Sequence, residues 1–377
     1  MTTHATVLTS LDVGENSTFE LIGNAYEWNI TELEYPRYLR GIGTFLCISL
    51  LIVGLIGNII VPLVVLYNRC LRNSTHFFLI NLSVADLLLL LFCIPTALVE
   101  LSSIPEVWIL GKFLCKASSL IEFLVAHGSI LTILAISFER YYAICRPLQA
   151  VYRCTRRRAV MVIIGIWILS FLTSLPMNWI TILQESTLSD GQVVDICFNR
   201  LDASWILIFF LAIFFIFFWI PFFILIYLFV EIHNQLSSTL TRDMISSGLS
   251  PRRNRTRKQV VRMLMAVWIM FFVCLLPYRI LGTWVILARP EQIQSLGRDM
   301  YNYITYSCRI LLYVNSTTNP IIYNVVSSRF RHGLMRAFGL KHWLNDRTRI
   351  SSSSRAHSWD HRQDDLTSTH ICDNHSF

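Results

Sequence analysis

Apolar runs of about 20 residues recur along this chain, and nothing else constrains its folding as strongly. A helix needs about 20 apolar residues to cross the ~30 Å hydrocarbon core of a bilayer, and runs of that length are not repeated in a water-soluble domain. Seven are legible, at 41–67, 77–101, 113–145, 159–181, 204–232, 260–287 and 300–326. In lipid each backbone N–H and C=O must find its partner within the segment, so runs of this length form helices. Charged residues are 15 % of the chain, against roughly 25 % in a soluble domain, and mean hydropathy is +0.52. The expected fold class is all-α, a seven-transmembrane helix bundle. Residues 1–40 are polar, with no charged start and no short apolar core, so the first span is expected to act as an uncleaved signal-anchor.

Lys and Arg in the short loops predict orientation. They cluster after span one (Arg69, Arg72), span three (Arg146, Arg153, Arg156, Arg157, Arg158), span five (Arg242, Arg252, Arg253, Arg255, Arg257, Lys258) and span seven (Arg329, Arg331, Arg336, Lys341). The other side is acidic, from Asp12 to Glu34 before span one and from Glu185 to Asp202 after span four. The N-terminus is therefore expected outside and the C-terminus in the cytoplasm. The net charge of +8 then belongs to the cytoplasmic face and gives no reason to expect a nucleic-acid partner. Sequons at Asn16 and Asn29 fall in the outer tail, where glycosylation is expected. Those at Asn73, Asn81 and Asn315 fall in an inner loop or in spans and read as chance matches.

Of ten cysteines, Cys115 and Cys197 are the two placed clearly at the oxidising outer face, so a bridge is expected, with two free thiols as the alternative. The segment after Trp343 is polar and rich in Ser and Thr. It reads as a disordered cytoplasmic tail.

Ionisable residues inside a span are expensive and usually functional. Here they are Asp86, Glu122, the adjacent pair Glu139 and Arg140, Arg279 and Arg309. Glu122 and Arg309 each lie about ten residues below the outer end of their spans, or roughly 15 Å deep, and Arg279 lies roughly 12 Å deep. One acid and two bases at similar depth leave a surplus positive charge. That arrangement suits a watery pocket open to the outside. The alternative is an internal salt bridge with no ligand. Pro62, Pro95, Pro176, Pro221, Pro277 and Pro320 fall within spans, where each removes a backbone hydrogen bond and can kink its helix.

Motifs in each span carry a family resemblance. They are Asn58 in "GLIGNIIV", Asp86 in "NLSVADLL", Cys115, "ERY" at 139–141, Trp167, Pro221, "CLLP" ending at Pro277, and "NPIIY" from Asn319 to Tyr323. One per span and in order, they resemble the rhodopsin-like (class A) G-protein-coupled receptors over residues 40–340. After them comes "SSRFRHGLMRAF", basic and amphipathic, like the family's short eighth helix on the membrane surface. The domain division implied is an extracellular glycosylated tail (1–40), the seven-transmembrane domain (41–326), helix eight (327–340) and a disordered cytoplasmic tail (341–377).

The resemblance implies roles. Glu139, Arg140 and Tyr141, with Asn319, Pro320 and Tyr323, would form the G-protein switch, in which the acid holds the arginine until span six swings outward. A purely structural interfacial pair is the alternative. Asp86, Ser129, Asn315, Ser316 and Asn319 match positions that hold an allosteric sodium ion in related receptors; a protonated, hydrated Asp86 without an ion is the alternative. No cofactor is required. "LPYRILGTWVIL" and "TRKQVVRMLM" resemble receptors of the thyrotropin-releasing-hormone, ghrelin and neuromedin U group, which implies a small, amidated neuropeptide as ligand and coupling to the Gq class, phospholipase C and calcium. Glu122, Arg279, Arg309, Tyr278 and His127 are the expected ligand-binding residues, the arginines receiving the amide carbonyl or a carboxylate. The other implied partners are a heterotrimeric G protein, arrestin and receptor kinases at the tail, and membrane lipid at the plasma membrane.

Two positions depart from the family: Leu275 stands where its members carry a tryptophan, and Phe229 where they carry a tyrosine. A class A receptor for a non-peptide small ligand remains an alternative. A transporter would be expected to show repeated halves, and an enzyme a catalytic constellation; neither is legible here.

Overall fold

The structure is a computed structural model, and it describes residues 36–68, 73–104, 107–187, 191–201, 203–245 and 251–337. Asn16, Asn29 and the tail beyond 337 lie outside the described residues. Span one is Arg37–Tyr67, span two Ser74–Ser102 and span three Gly111–Cys145. Span four is the helix Arg156–Ser174, continued by a short turn of helix at Met177–Ile180. Span five joins Ser204–Phe214, a π-helical turn at Phe215–Trp219, and Ile220–Ile245. Span six is Pro251–Leu287 and span seven Arg298–Val326, followed by a helix at Ser328–Ala337.

Spans one to six each contain a window long and apolar enough to cross a membrane. Span seven has the length, 29 residues. Its apolar character is diluted by Arg309 and the run Asn315–Asn319, which turn toward the bundle interior. Span one, at 31 residues, is about 46 Å long at 1.5 Å per residue. The expected boundaries hold to within a few residues except in three places. The expected fourth run, 159–181, breaks after Ser174 because Pro176 cannot continue the helix. The fifth helix continues 13 residues past its apolar run (245 − 232) and the sixth begins nine residues before its own (260 − 251), both reaching into the polar, basic stretch between them.

The π-helical turn also has a local cause. Pro221 follows it by two residues and has no N–H to offer the preceding turn, and a π bulge absorbs the register defect.

Apolar burial drives helix association weakly in lipid, so packing and interhelical hydrogen bonds carry more of it. Span one comes close to its neighbours at two glycines. A Cβ on Gly54 would stand 2.5 Å from Leu90 Cδ1, and one on Gly57 would stand 3.0 Å from the Pro320 ring. Asn58 donates to the Ser316 carbonyl at 3.0 Å. Asn81 donates to Thr132 at 2.8 Å and accepts from the Trp167 indole at 2.7 Å, joining spans two, three and four. Leu82, Leu89, Leu90 and Ile94 of span two meet Ile130, Ile133 and Ile136 of span three in the apolar core.

At the outer face, strands β1 (Thr181–Thr187) and β2 (Val193–Asn199) form an antiparallel hairpin with Leu183 opposite Cys197. Cys197 is disulfide-bonded to Cys115 at the start of span three, with Cα atoms 5.8 Å apart. The Trp108 amide donates to the Asp195 carbonyl at 2.7 Å, fixing a second edge of the hairpin.

Candidate functional site

Spans three, six and seven enclose a small pocket near its outer side, lined by Glu122, Phe123, Ala126, Leu275, Tyr278, Arg279 and Leu312. Glu122 and Phe123 are adjacent on span three and Ala126 is one turn further in. Pro277, inside span six, precedes Tyr278 and Arg279 directly and loosens the helix where they enter the pocket. The Arg279 guanidinium sits over the Phe123 ring, 5.7 Å from its centroid. The Tyr278 phenol lies beside the Glu122 carboxylate. Glu122 Oε1 is buried with no hydrogen-bond partner among the described residues. The pocket wall thus presents an unused acceptor and a cation stacked on a ring.

Arg309 is placed differently from the expectation. Its ion pair is with Glu100, near the outer end of span two, and Glu122 is a weaker electrostatic neighbour. The balance of one acid and two bases is therefore corrected: two acids face two bases, and no surplus positive charge remains. In the sequence Glu100 has the look of a loop residue, because it sits near the end of an apolar run. The signal was present in its spacing, since Asp86, Cys93 and Glu100 recur every seven residues and share one face of span two.

That face forms a ladder with span seven. Asn319 donates to Asp86 Oδ2 at 2.9 Å, the Tyr313 hydroxyl donates to the Cys93 carbonyl at 3.1 Å, and Arg309 pairs with Glu100. Asn315, Ser316 and Ser129 are buried, and Asn315 Oδ1 has no partner among the described residues.

His127 is also corrected. It is fully buried and absent from the pocket lining. Its ring stacks on Phe217 of the π-helical turn at 3.9 Å and meets the edge of Phe123 at 5.9 Å. Its Nδ1 is 3.1 Å from the Thr173 hydroxyl of span four. It lies behind Phe123, as a packing residue under the pocket wall.

At the end of the bundle opposite the hairpin, Glu139 and Arg140 converge on Thr75 at the start of span two. The Thr75 hydroxyl donates to Glu139 Oε2 at 2.9 Å and accepts from Arg140 Nη2. Thr75 is a hub that no motif signalled. Tyr141 packs edge-on against Tyr142. Gln259 of span six donates to the Val326 carbonyl at the end of span seven, and Tyr323 packs against Phe330 of the following helix. Spans six and seven are thus tied together at the inner face.

A seven-helix bundle with a disulfide-pinned hairpin at one end, a pocket lined by Glu122, Tyr278 and Arg279, and an acid and an arginine side by side at the other end has the architecture of a membrane receptor. The sequence matches the family described as "7 transmembrane receptor (rhodopsin family)" over residues 57–323. The chain belongs to that family, which makes it a signalling receptor and not an enzyme. Among curated proteins it is similar to the growth hormone secretagogue receptor type 1 of Oryctolagus cuniculus, 29 % identical over 327 residues, covering 86 % of this chain and 88 % of that one. The Mus musculus receptor of the same name is 28 % identical over 326 residues, with the same coverage.

Proposed function

We propose that this chain is a plasma-membrane receptor for a small peptide ending in a carboxamide, and that it signals through a heterotrimeric G protein of the Gq class to phospholipase C and calcium. One observation carries the ligand assignment: an unpartnered Glu122 oxygen beside Tyr278 shares a pocket with the Arg279 guanidinium. A carboxylate ligand would satisfy Arg279 and be repelled by Glu122. A basic ligand would satisfy Glu122 and be repelled by Arg279. A primary amide offers a carbonyl to the arginine and an N–H to the acid, and adds no charge to a balanced site. Similarity to receptors named for growth hormone secretagogues supports a ligand of the peptide class.

Arginine suits the task because its planar fork donates two parallel hydrogen bonds and stays charged at physiological pH. The reading places the N-terminus outside, with Asn16 and Asn29 glycosylated, and the basic loops in the cytoplasm. It places arrestin and receptor kinases on the Ser/Thr-rich tail, and the helix Ser328–Ala337 on the inner membrane surface. Asp86, Ser129, Asn315, Ser316 and Asn319 are the ligands this reading assigns to a sodium ion: Asn319 bonds the buried Asp86 carboxylate, and the carboxylate with the amide and hydroxyl oxygens would offer a hard cation its oxygen ligands. A bound ion would neutralise the buried Asp86 carboxylate in the silent state.

The experiment is a calcium assay in transfected cells against peptides made in pairs, amide and free acid. Activation by amides and not by their acids supports the reading. Activation that ignores the C-terminal group, or by non-peptide ligands alone, rejects it.

A further inference from the structure

Span six lies close along span seven, but its inner half meets span five through side-chain rings. Phe272 packs on Phe218 and Phe222 with centroids 5.1 and 5.0 Å apart. Trp268, one turn further in, stacks on Phe222 at 6.0 Å, tilts against Phe229 at 5.3 Å and meets Phe272 at 5.8 Å. Trp268 therefore touches both positions of span five that frame the inner half of the interface. It lies seven residues inward of Leu275, two turns along the same helix face. Phe229 is its direct neighbour. The two departures from the family's sequence pattern, at Leu275 and Phe229, thus flank one residue.

The Trp268 indole N–H is buried with no acceptor among the described residues. A buried donor without a partner opposes the arrangement that contains it, by an amount comparable with what one or two ring contacts contribute. The rings hold the two spans together and the orphaned N–H works against them. An interface with opposing terms of equal size is poised to change. The rest of the inner end is closed: Gln259 ties span six to span seven, and Thr75 holds Glu139 and Arg140. The outer pocket connects to this interface along span six. Leu275 lines the pocket, Phe272 is one turn inward, and Phe272 touches Trp268.

We propose that Trp268 is the latch between spans five and six: its ring contacts with Phe222 and Phe229 hold the inner half of span six closed, and their loss releases it. Trp268 is not part of the pocket lining and acts as a positioning residue. Its part in signalling rests on the G-protein reading above; its part in closure does not.

The test uses the full chain in lipid nanodiscs. Cys70, Cys145, Cys154 and Cys372 are replaced by serine, and spin labels are placed through Arg146→Cys at the end of span three and Arg262→Cys on span six, both exposed positions. The wild-type background should give one short inter-label distance. Trp268→Leu should add a longer population, Phe229→Leu should do the same from the opposite helix, and Trp268→Phe, which keeps a ring and loses the orphaned N–H, should show the short distance alone. Unchanged distances in the two leucine variants would overturn the latch. If Trp268→Leu is not recovered folded, Phe229→Leu decides by itself. Binding of radiolabelled GTPγS in membranes, at matched receptor amounts, should rise about fivefold in the leucine variants, as for loss of one aromatic contact. A longer distance without increased exchange supports the latch and counts against the G-protein reading alone.

Discussion

Arg309 of span seven forms its ion pair with Glu100 of span two, at the outermost of three rungs that join these helices. The pair is half-buried, with side-chain exposures of 30 % and 24 %, so solvent screens it only in part. It engages one of the two arginines expected at the pocket and leaves Arg279 with Glu122 as the charged groups that line it.

The pair predicts a charge-swap result. Glu100→Arg or Arg309→Glu alone places like charges opposite each other and should lower surface expression and thermal stability. The double variant Glu100→Arg/Arg309→Glu should recover most of the loss, by about 1–3 kcal/mol of coupling. Flow cytometry of surface receptor and a thermal unfolding curve in detergent measure it. Additive losses in the double variant would reject the pairing.

Arg279 should matter through its fork as well as its charge. Arg279→Ala should cost roughly 2–5 kcal/mol of ligand potency, since a desolvated charged hydrogen bond is lost, or about thirtyfold to several-thousandfold. Arg279→Lys should recover only part, because an ammonium lacks the planar geometry. Dose–response curves at matched surface expression check both. Potency within a few-fold of wild type in Arg279→Ala would contradict the site.

Thr75 bonds both members of the acid–arginine pair, so Thr75→Val should raise basal signalling while Thr75→Ser should not. Glu139→Gln should also raise it, and Arg140→Ala should abolish coupling with the receptor still at the surface. Basal GTPγS binding reads all four variants. A silent Thr75→Val would remove Thr75 from the switch.

At Gly57 a Cβ would stand 3.0 Å from the Pro320 ring, so any side chain there forces one of the two helices to give way. Gly57→Val should displace span one and destabilise the bundle by about 1–3 kcal/mol, the usual penalty for overpacking. A thermal shift assay should show a lower midpoint. An unchanged midpoint would mean that span one moves freely at this level.

Much of the architecture was legible because it follows from one-dimensional rules. Run length located the seven spans, and the ordered motifs pointed to Asp86, the 139–141 segment at the end of span three and Pro277 inside span six. The disulfide followed from two cysteines being left at one oxidising face. Partner choice inside the bundle was not legible, because it depends on helix rotation and depth together. Depth alone put Glu122 with both arginines; rotation gave Arg309 to Glu100. His127 was misplaced for the same reason, since its depth suits the pocket but its direction is toward Thr173 and Phe217. Thr75 carried no signal, as a threonine near a helix start is ordinarily part of a cap, and here that role falls to Asn73.

The measurement that tests the account most directly is the amide-to-acid potency ratio of one activating peptide, on wild type and on Glu122→Gln. The wild type should prefer the amide by roughly thirtyfold, the loss of about 2 kcal/mol expected when a carboxylate faces Glu122. In Glu122→Gln the repulsion is gone, and the ratio should fall to within a few-fold of one. A wild-type ratio near one, or a large ratio that Glu122→Gln leaves unchanged, would contradict recognition of a carboxamide between Glu122 and Arg279.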